Sequence, residues 1–266
     1  MRLRGKVIVV TGTGSGIGKD IAARFAKEGA RVVAASRRSA TGQGVVDAIV
    51  AGGGQAIFVQ TDVSSPKEVD SLFDAAVKAY GRIDGLVNNA GVNFVCPFEE
   101  CTPEAWDRVL NVDLRGTYLC CRRAILEMLK TGNGGSIINV ASNHTVAAVK
   151  GSVPYDAAKW GMVGLSKSLG IEFASRNIRV NVLSPGLIHT QIWDDILDAA
   201  PSHEECLAHW QSNIPMHRVG TCEEISSAAV FMISDESPFM TGANLVIDGG
   251  MSSQLVTPDP YTSRKI

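Results

Sequence analysis

Long apolar runs are missing from this chain. None approaches the roughly 20 residues that a helix needs to span a bilayer. The opening MRLRGKVIVV carries basic residues, but its apolar stretch is too short for a secretory signal. The last residues, YTSRKI, match no retention or peroxisomal address. The expectation is a cytoplasmic protein with no membrane partner. A clustered basic excess is missing too: the formal net charge is -2, so nothing suggests a nucleic-acid partner. Six cysteines occur without a C-x-x-C pair, and reduced, mostly buried thiols are expected rather than a disulfide framework. The five histidines lack metal-ligand spacing; His203 and His209, six apart, fall off one helical face, so no metal is expected. No internal repeat, low-complexity tract or interdomain linker is found. One domain is therefore expected over 1–251, with an irregular tail over 252–266.

What is present is an ordinary globular composition, 45% hydrophobic and 20% charged, with 27 glycines that suit many tight turns. Short β-rich runs alternate with helical patterns. Strands are expected at 6–11, 31–36, 55–60, 85–89, 136–142, 178–184 and 244–248. Most are almost continuously apolar, as parallel strands covered on both faces are. Helices are expected at 17–28, about 42–51, 66–80, 103–130, 155–175 and 222–234. Ser65 with Pro66 and Glu68, and Thr102 with Pro103, form helix-entry signals. Strand–helix alternation means crossover units, hence an α/β fold with a parallel sheet wound on both faces. Residues 187–215 break the rhythm. One or two short helices are expected there, as a lid or binding loop.

VVTGTGSGIGKDIA follows the first strand and opens the first helix. A glycine-rich turn there can hold a pyrophosphate on backbone N–H groups and the positive helix end. Position 17 is Ile, so the spacing fits T-G-x-x-x-G-x-G rather than G-x-G-x-x-G, with Thr11, Gly12, Gly16 and Gly18. Gly12, Thr13, Ser15, Gly16, Ile17 and Gly18 are the candidate contacts; the alternative is a plain turn. The second strand ends at Ser36, followed by Arg37 and Arg38, where a NAD site usually carries an acid. Guanidinium groups suit a 2′-phosphate, so NADP(H) is favoured over NAD(H); the alternative is two solvated arginines. Asp62, beside Val63, is a candidate acceptor for the adenine amino group or a turn aspartate. Asn89, Ala90 and Gly91 of NNAG end the fourth strand, where side-chain amides can hold loop backbone and Gly91 permits close passage.

Ser142 ends the fifth strand, at the carboxyl edge where open parallel sheets bind ligands. Tyr155 and Lys159 then share one helical face. A phenol titrates near about 10 and is a poor base at neutral pH. A nearby ammonium stabilises the phenolate. Such a pair can take a proton from a substrate hydroxyl while hydride leaves for a nicotinamide, and can return it in reverse. Ser142 can hold the same oxygen.

In order along the chain, TGTGSGIG, Asp62, NNAG, Asn111 in LNVDLRG, Ser142 in INVAS, YDAAK, SPG and MTGANLVIDGG resemble the short-chain dehydrogenase/reductase family over about residues 3 to 251. The resemblance implies a Rossmann-like doubly wound seven-stranded parallel sheet in the order 3-2-1-4-5-6-7. It implies an Asn111–Ser142–Tyr155–Lys159 tetrad, with Asn111 ordering a water toward Lys159, and Lys159 also binding the nicotinamide ribose. Asn111 could otherwise bend or cap a helix. SPGLIHT resembles the segment that meets the carboxamide, with Pro185 and Gly186 leading to Ile188 by backbone and Thr190 by hydroxyl, unless Thr190 is only a helix cap. The resemblance further implies a homotetramer or dimer built on the helices near 103–130 and 155–175, where Gly161 and Gly164 permit close approach.

The substrate pocket is expected from Asn93, Phe94, Asn143, His144, His189 and Trp193. A mixed polar and aromatic lining suits a hydroxylated ring, hence a small alcohol or ketone such as a sugar or polyol. His144 is read as a pocket wall or loop anchor rather than a second proton donor. A 3-oxoacyl thioester and a hydroxysteroid are the catalytic alternatives, and a regulator that only binds cofactor is the non-catalytic one.

Overall fold

The computed structural model describes residues 1–254. From residue 255 on, the expected tail lies outside the described residues; Met251–Ser253 form a short 3₁₀ turn. Seven strands are observed: β1 (Val7–Thr11), β2 (Arg31–Ser36), β3 (Gln55–Gln60), β4 (Gly85–Asn88), β5 (Gly135–Val140), β6 (Ile178–Pro185) and β7 (Asn244–Ile247). All neighbours pair in parallel, in the order β3-β2-β1-β4-β5-β6-β7. The chain leaves β1 toward β2 on one side and resumes at β4 on the other. That reversal opens a crevice beyond the carboxyl ends of β1 and β4.

Alternation along β1 divides the core. Ile8 and Val10 join Ile21 and Phe25 of α1 (Gly16–Lys27), Val45 and Ile49 of α2 (Ser39–Ala51), and the helix Cys222–Ile233. Val7 and Val9 face the other way, onto Leu72 and Phe73 of α3 (Pro66–Tyr80) and onto the helix Gly116–Thr131. Each strand must be apolar on both faces because each face carries helices. Only Cys120 and Cys121 are fully buried. Cys96, Cys101, Cys206 and Cys222 are half-exposed, so most of the thiols are less sheltered than expected.

Ser65 caps α3 by accepting from the Glu68 amide at 3.4 Å, with Pro66 in the first turn. The Glu68 carboxylate does not close the box onto Ser65. It accepts instead from the Asp62 amide at 2.8 Å and ties down the loop after β3. The single helix expected over 103–130 is interrupted. α4 (Pro103–Val109) passes into a π-helical stretch, Leu110–Arg115, before α5 (Gly116–Thr131). α6 (Val153–Phe173) follows β5, and the insertion forms α7 (Gln191–Ala199) and α8 (His203–Ser212) before α9 (Cys222–Ile233). Among the described residues, no helix is long and apolar enough to cross a membrane.

Candidate active site

The glycine turn is assembled by β1 and β4 together. Thr11 Oγ1 accepts from the amides of Asn89 and Ala90, both at 3.1 Å. Asn89 Nδ2 donates to the carbonyls of Thr11 and Gly12, both at 3.2 Å. A Cβ on Gly12 would stand 2.9 Å from Ala90 Cα, and one on Gly18 would collide with Gly12 O and Asn89 Nδ2. Thr13 turns inward, donating amide and hydroxyl to Ala35 O, and so anchors the turn. Exposed Ser15 precedes α1 without a side-chain cap bond, and the first turn has no acid. With Ile17 half-buried behind it, this helix end keeps free N–H donors and a positive dipole, which fits a pyrophosphate.

At the end of β2, Ser36 donates to Arg38 O at 3.1 Å, while Arg37 O accepts from Gln60 at 3.0 Å. The Arg37 and Arg38 side chains are exposed. Asp62 forms a turn: one carboxylate oxygen accepts from the amide and hydroxyl of Ser64, at 2.9 and 2.7 Å. Burial pushes this carboxyl up, but the Ser64 bonds and the Arg37 charge outweigh it, and the net shift is downward. Val63 is buried against Gly116.

Across the crevice, Tyr155 and Lys159 leave the first turns of α6. Lys159 is almost wholly buried, with Nζ 5.1 Å from the Tyr155 ring centroid. Ser142 caps the 3₁₀ turn Asn143–Thr145, accepting from His144 N at 3.3 Å and donating to Asn143 Oδ1 at 3.3 Å. The His144 ring meets the Tyr155 ring edge-on at 5.2 Å. Its Nδ1 lies 2.5 Å from Asp156 Oδ1, and Asp156 Oδ2 accepts from Val149 N. His144 is therefore a loop anchor and a wall beside Tyr155. Behind Ser142, Thr145, Ser184 and Asn244 form a buried hydrogen-bonded triangle of 3.0, 2.7 and 3.0 Å that stiffens the loop. Asn139 links β5 to α6 by donating to Ser166 at 2.8 Å.

Asn111 does not join this group; its side chain is exposed. Asp113, two residues on, takes the inward position: it is fully buried, with Oδ2 3.0 Å from Lys159 Nζ. Residues two apart on a helix point to nearly opposite sides. A signal for Asp113 was present in the sequence. Val109, Asp113, Gly116, Thr117 and Cys120 recur at helical spacing, all are buried, and Asn111 falls off that stripe. Burial pulls the Lys159 ammonium down, but Asp113 and Tyr155 more than offset it, and the net shift is upward.

Pro185 is buried at the end of β6, and Gly186 N donates to Ile247 O at 2.9 Å. The Gly220 amide donates to Leu187 O and the His189 amide to Gly220 O, at 3.0 and 2.8 Å. In this parallel bridge the amide and carbonyl of Ile188 face the other way. Thr190 precedes α7 without a side-chain cap bond, and its methyl lies 3.2 Å from where a Gly16 Cβ would stand. The segment thus closes over the glycine turn. His189 is exposed and paired with Asp194 at 2.8 Å. Trp193 packs on Trp210 of α8, edge-on at 4.8 Å, joining α7 and α8. Asn93 is exposed and Phe94 half-buried, in the irregular loop after β4. Asn143 Nδ2 contacts Met251 Sδ at 3.6 Å. Among the described residues, no group of three or more His, Cys, Asp or Glu side chains is arranged to hold a metal ion.

A glycine turn with free N–H donors on one side of a switch-point crevice and a tyrosine–lysine pair on the other fit a dinucleotide-dependent oxidoreductase. The family model described as enoyl-(acyl carrier protein) reductase matches residues 12–252. The chain is 40% identical to 3beta-hydroxysteroid dehydrogenase 1 of Eggerthella lenta over 251 residues, 94% of this chain and 95% of the relative. It is 38% identical to D-threitol dehydrogenase of Mycolicibacterium smegmatis over 249 residues, 94% of each. The crystal structure of a short-chain type dehydrogenase/reductase from Mycobacterium marinum superimposes with a TM-score of 0.87 at 34% identity, over 94% of this chain and 96% of that one. The chain belongs to the short-chain dehydrogenase/reductase family of NAD(P)-dependent oxidoreductases.

Proposed function

We propose that the protein interconverts a secondary alcohol and a ketone, with Tyr155 as general acid and base. The observation that carries this reading is the buried Lys159 ammonium 5.1 Å from the Tyr155 ring, across the crevice from the phosphate cradle. The nicotinamide cofactor, when bound, accepts or supplies the hydride. The proton falls to this chain. As phenolate, Tyr155 takes it from the substrate hydroxyl; as phenol, it returns it to the carbonyl oxygen. Ser142 donates to that oxygen and holds it beside Tyr155. Lys159 supplies the positive charge that favours the phenolate.

Gly12, Ser15, Gly16, Ile17 and Gly18 hold the pyrophosphate, with Thr13 and Asn89 bracing the turn. Asp62 accepts from the adenine amino group. Ile188 and Thr190 meet the nicotinamide end, and Lys159 the ribose. NADP(H) is preferred over NAD(H), because Arg37 and Arg38 stand exposed at the end of β2, where no acid replaces them. The substrate is a sugar, polyol or similar hydroxylated small molecule. The D-threitol dehydrogenase relative supports this reading, as does the aromatic Trp193–Trp210 lid. A hydroxysteroid is the second reading, favoured by the 3beta-hydroxysteroid dehydrogenase relative. The assembly is a homotetramer or dimer: Trp106, Tyr118 and Trp160 lie exposed on α4, α5 and α6, and a Cβ on Gly164 would meet nothing. Gly161 instead packs against Leu114 of its own chain.

The test is a turnover screen of sugars, polyols, hydroxysteroids and 3-oxoacyl esters with both cofactors. Turnover of a polyol or sugar with NADP(H) is expected. Tight cofactor binding without turnover of any substrate would overturn the catalytic reading.

A further inference from the structure

Lys159 has a buried counter-ion. Asp113 is 0% exposed, and its two carboxylate oxygens have separate tasks. Oδ1 accepts from the Val92 amide at 2.8 Å, fixing the loop after β4. Oδ2 forms the ion pair, 3.0 Å from Lys159 Nζ. Asp113 lies within the π-helical stretch, and Thr117 Oγ1 donates to its carbonyl at 2.6 Å.

The remaining charged groups near α6 are engaged or point away. His144, from the turn after β5, touches Tyr155 edge-on and pairs with Asp156 of α6 itself. Arg179, the charged residue of β6, is bound to Ser234 O, Ser237 and Met240 O. Arg115 of the π-helical stretch is exposed and bound to Ser64 O. Glu104, Asp107 and Arg108 of α4 are exposed, as is Arg176 after α6. Asp113 is thus the buried anion in contact with the lysine.

We propose that Asp113 is a positioning residue for the acid/base step: its carboxylate fixes the Lys159 ammonium beside Tyr155 and sets the pH range over which the pair works. The proposal rests on the reading of Tyr155 as the base. Without a counter-ion, burial favours the neutral amine; with Asp113, the charged form is kept, in accord with the upward shift of Lys159. The same anion has a second effect. A fixed negative charge beside two coupled proton donors delays loss of the first proton, whichever residue releases it. Asp113 therefore favours the charged lysine at the cost of a base that forms at higher pH.

The experiment is the pH profile of kcat for alcohol oxidation in Asp113→Asn, with cofactor binding measured by fluorescence. The acid limb is expected to move down by about one pH unit while cofactor binding persists, the size of shift that loss of one near charge produces. An unmoved limb in a folded, cofactor-binding variant overturns the proposal and leaves Asp113 as an anchor for Val92. If Asp113→Asn does not fold, Gly91→Ala carries the test, since its added Cβ would stand 2.9 Å from Asp113 Oδ2 and push the carboxylate off the lysine. It should move the limb in the same direction, and an unmoved limb there counts equally against the proposal. Tyr155→Phe is assayed alongside. If it keeps wild-type turnover, the base reading itself fails; if it is inactive and the limb is unmoved, only the role of Asp113 fails.

Discussion

Asn89 holds the glycine turn from behind, its Nδ2 donating to the carbonyls of both Thr11 and Gly12 at 3.2 Å. The turn that follows β1 is thereby fixed by the end of β4, and the crevice between them keeps its shape. Gly18 lies so close to this amide that any side chain there must displace it. Gly18→Ala is expected to cost about 1–3 kcal/mol by overpacking. Cofactor affinity should fall with it, by about 5- to 150-fold where the penalty falls on the cofactor-bound turn. Cofactor titration and thermal melts check both effects together.

Lys159→Ala should damage turnover and cofactor binding alike, because one ammonium serves the phenolate and the ribose. It also leaves the Asp113 carboxylate buried without its partner, a loss that typically costs about 3–5 kcal/mol. A lower melting temperature is therefore expected beside the catalytic loss. Unchanged cofactor affinity would remove the ribose contact from the account.

Arg37→Asp tests the adenosine end. The exposed guanidinium is replaced by an acid suited to a ribose 2′-hydroxyl, and preference should move from NADP(H) toward NAD(H). Specificity constants with both cofactors decide it. A wild-type enzyme that already prefers NAD(H) would show that Arg37 and Arg38 are simply solvated.

The entry to α9 supplies a stability prediction. Thr221 and Glu224 form a reciprocal cap, and Arg218 pairs with the same carboxylate, holding it down to about 2. A carboxyl depressed in the folded state stabilises above its ordinary range and loses that contribution as pH falls toward the folded value. Glu224→Gln should therefore lower the melting temperature by about 1–3 °C at neutral pH, the scale of an exposed pair. The gap from wild type should stay constant between about pH 5 and 8 and narrow below pH 5. A gap that persists unchanged in acid would mean that the charge plays no part.

Much of the fold was legible because parallel strands buried on both faces must be apolar throughout. VIVVT and RVVAAS can be little else, and β2 and β3 fall at their expected bounds. Ser65 with Pro66 and Thr102 with Pro103 mark helix starts through local chemistry alone. Tyr155 and Lys159 were legible for a similar reason: their spacing on one helix needs no tertiary information. What escaped depended on a backbone departure or on distant partners. The π-helical stretch interrupts the single helix expected over 103–130, and the choice of Asn111 over Asp113 ignored the helically spaced stripe that runs through Asp113. Glu68 bypasses its cap for Asp62, because the loop after β3 brings that amide within reach. Trp193 meets Trp210 across two helices of the insertion, a pairing that no local spacing announces.

The most direct test of the central claim is turnover by Tyr155→Phe, measured beside cofactor affinity. This change removes one oxygen and leaves the ring against His144 and Lys159. Turnover should fall by at least about 10²–10⁴-fold, the range general acid–base catalysis supplies, while the cofactor dissociation constant stays close to wild type. A variant that binds cofactor normally and still turns over at a substantial fraction of the wild-type rate would contradict the account.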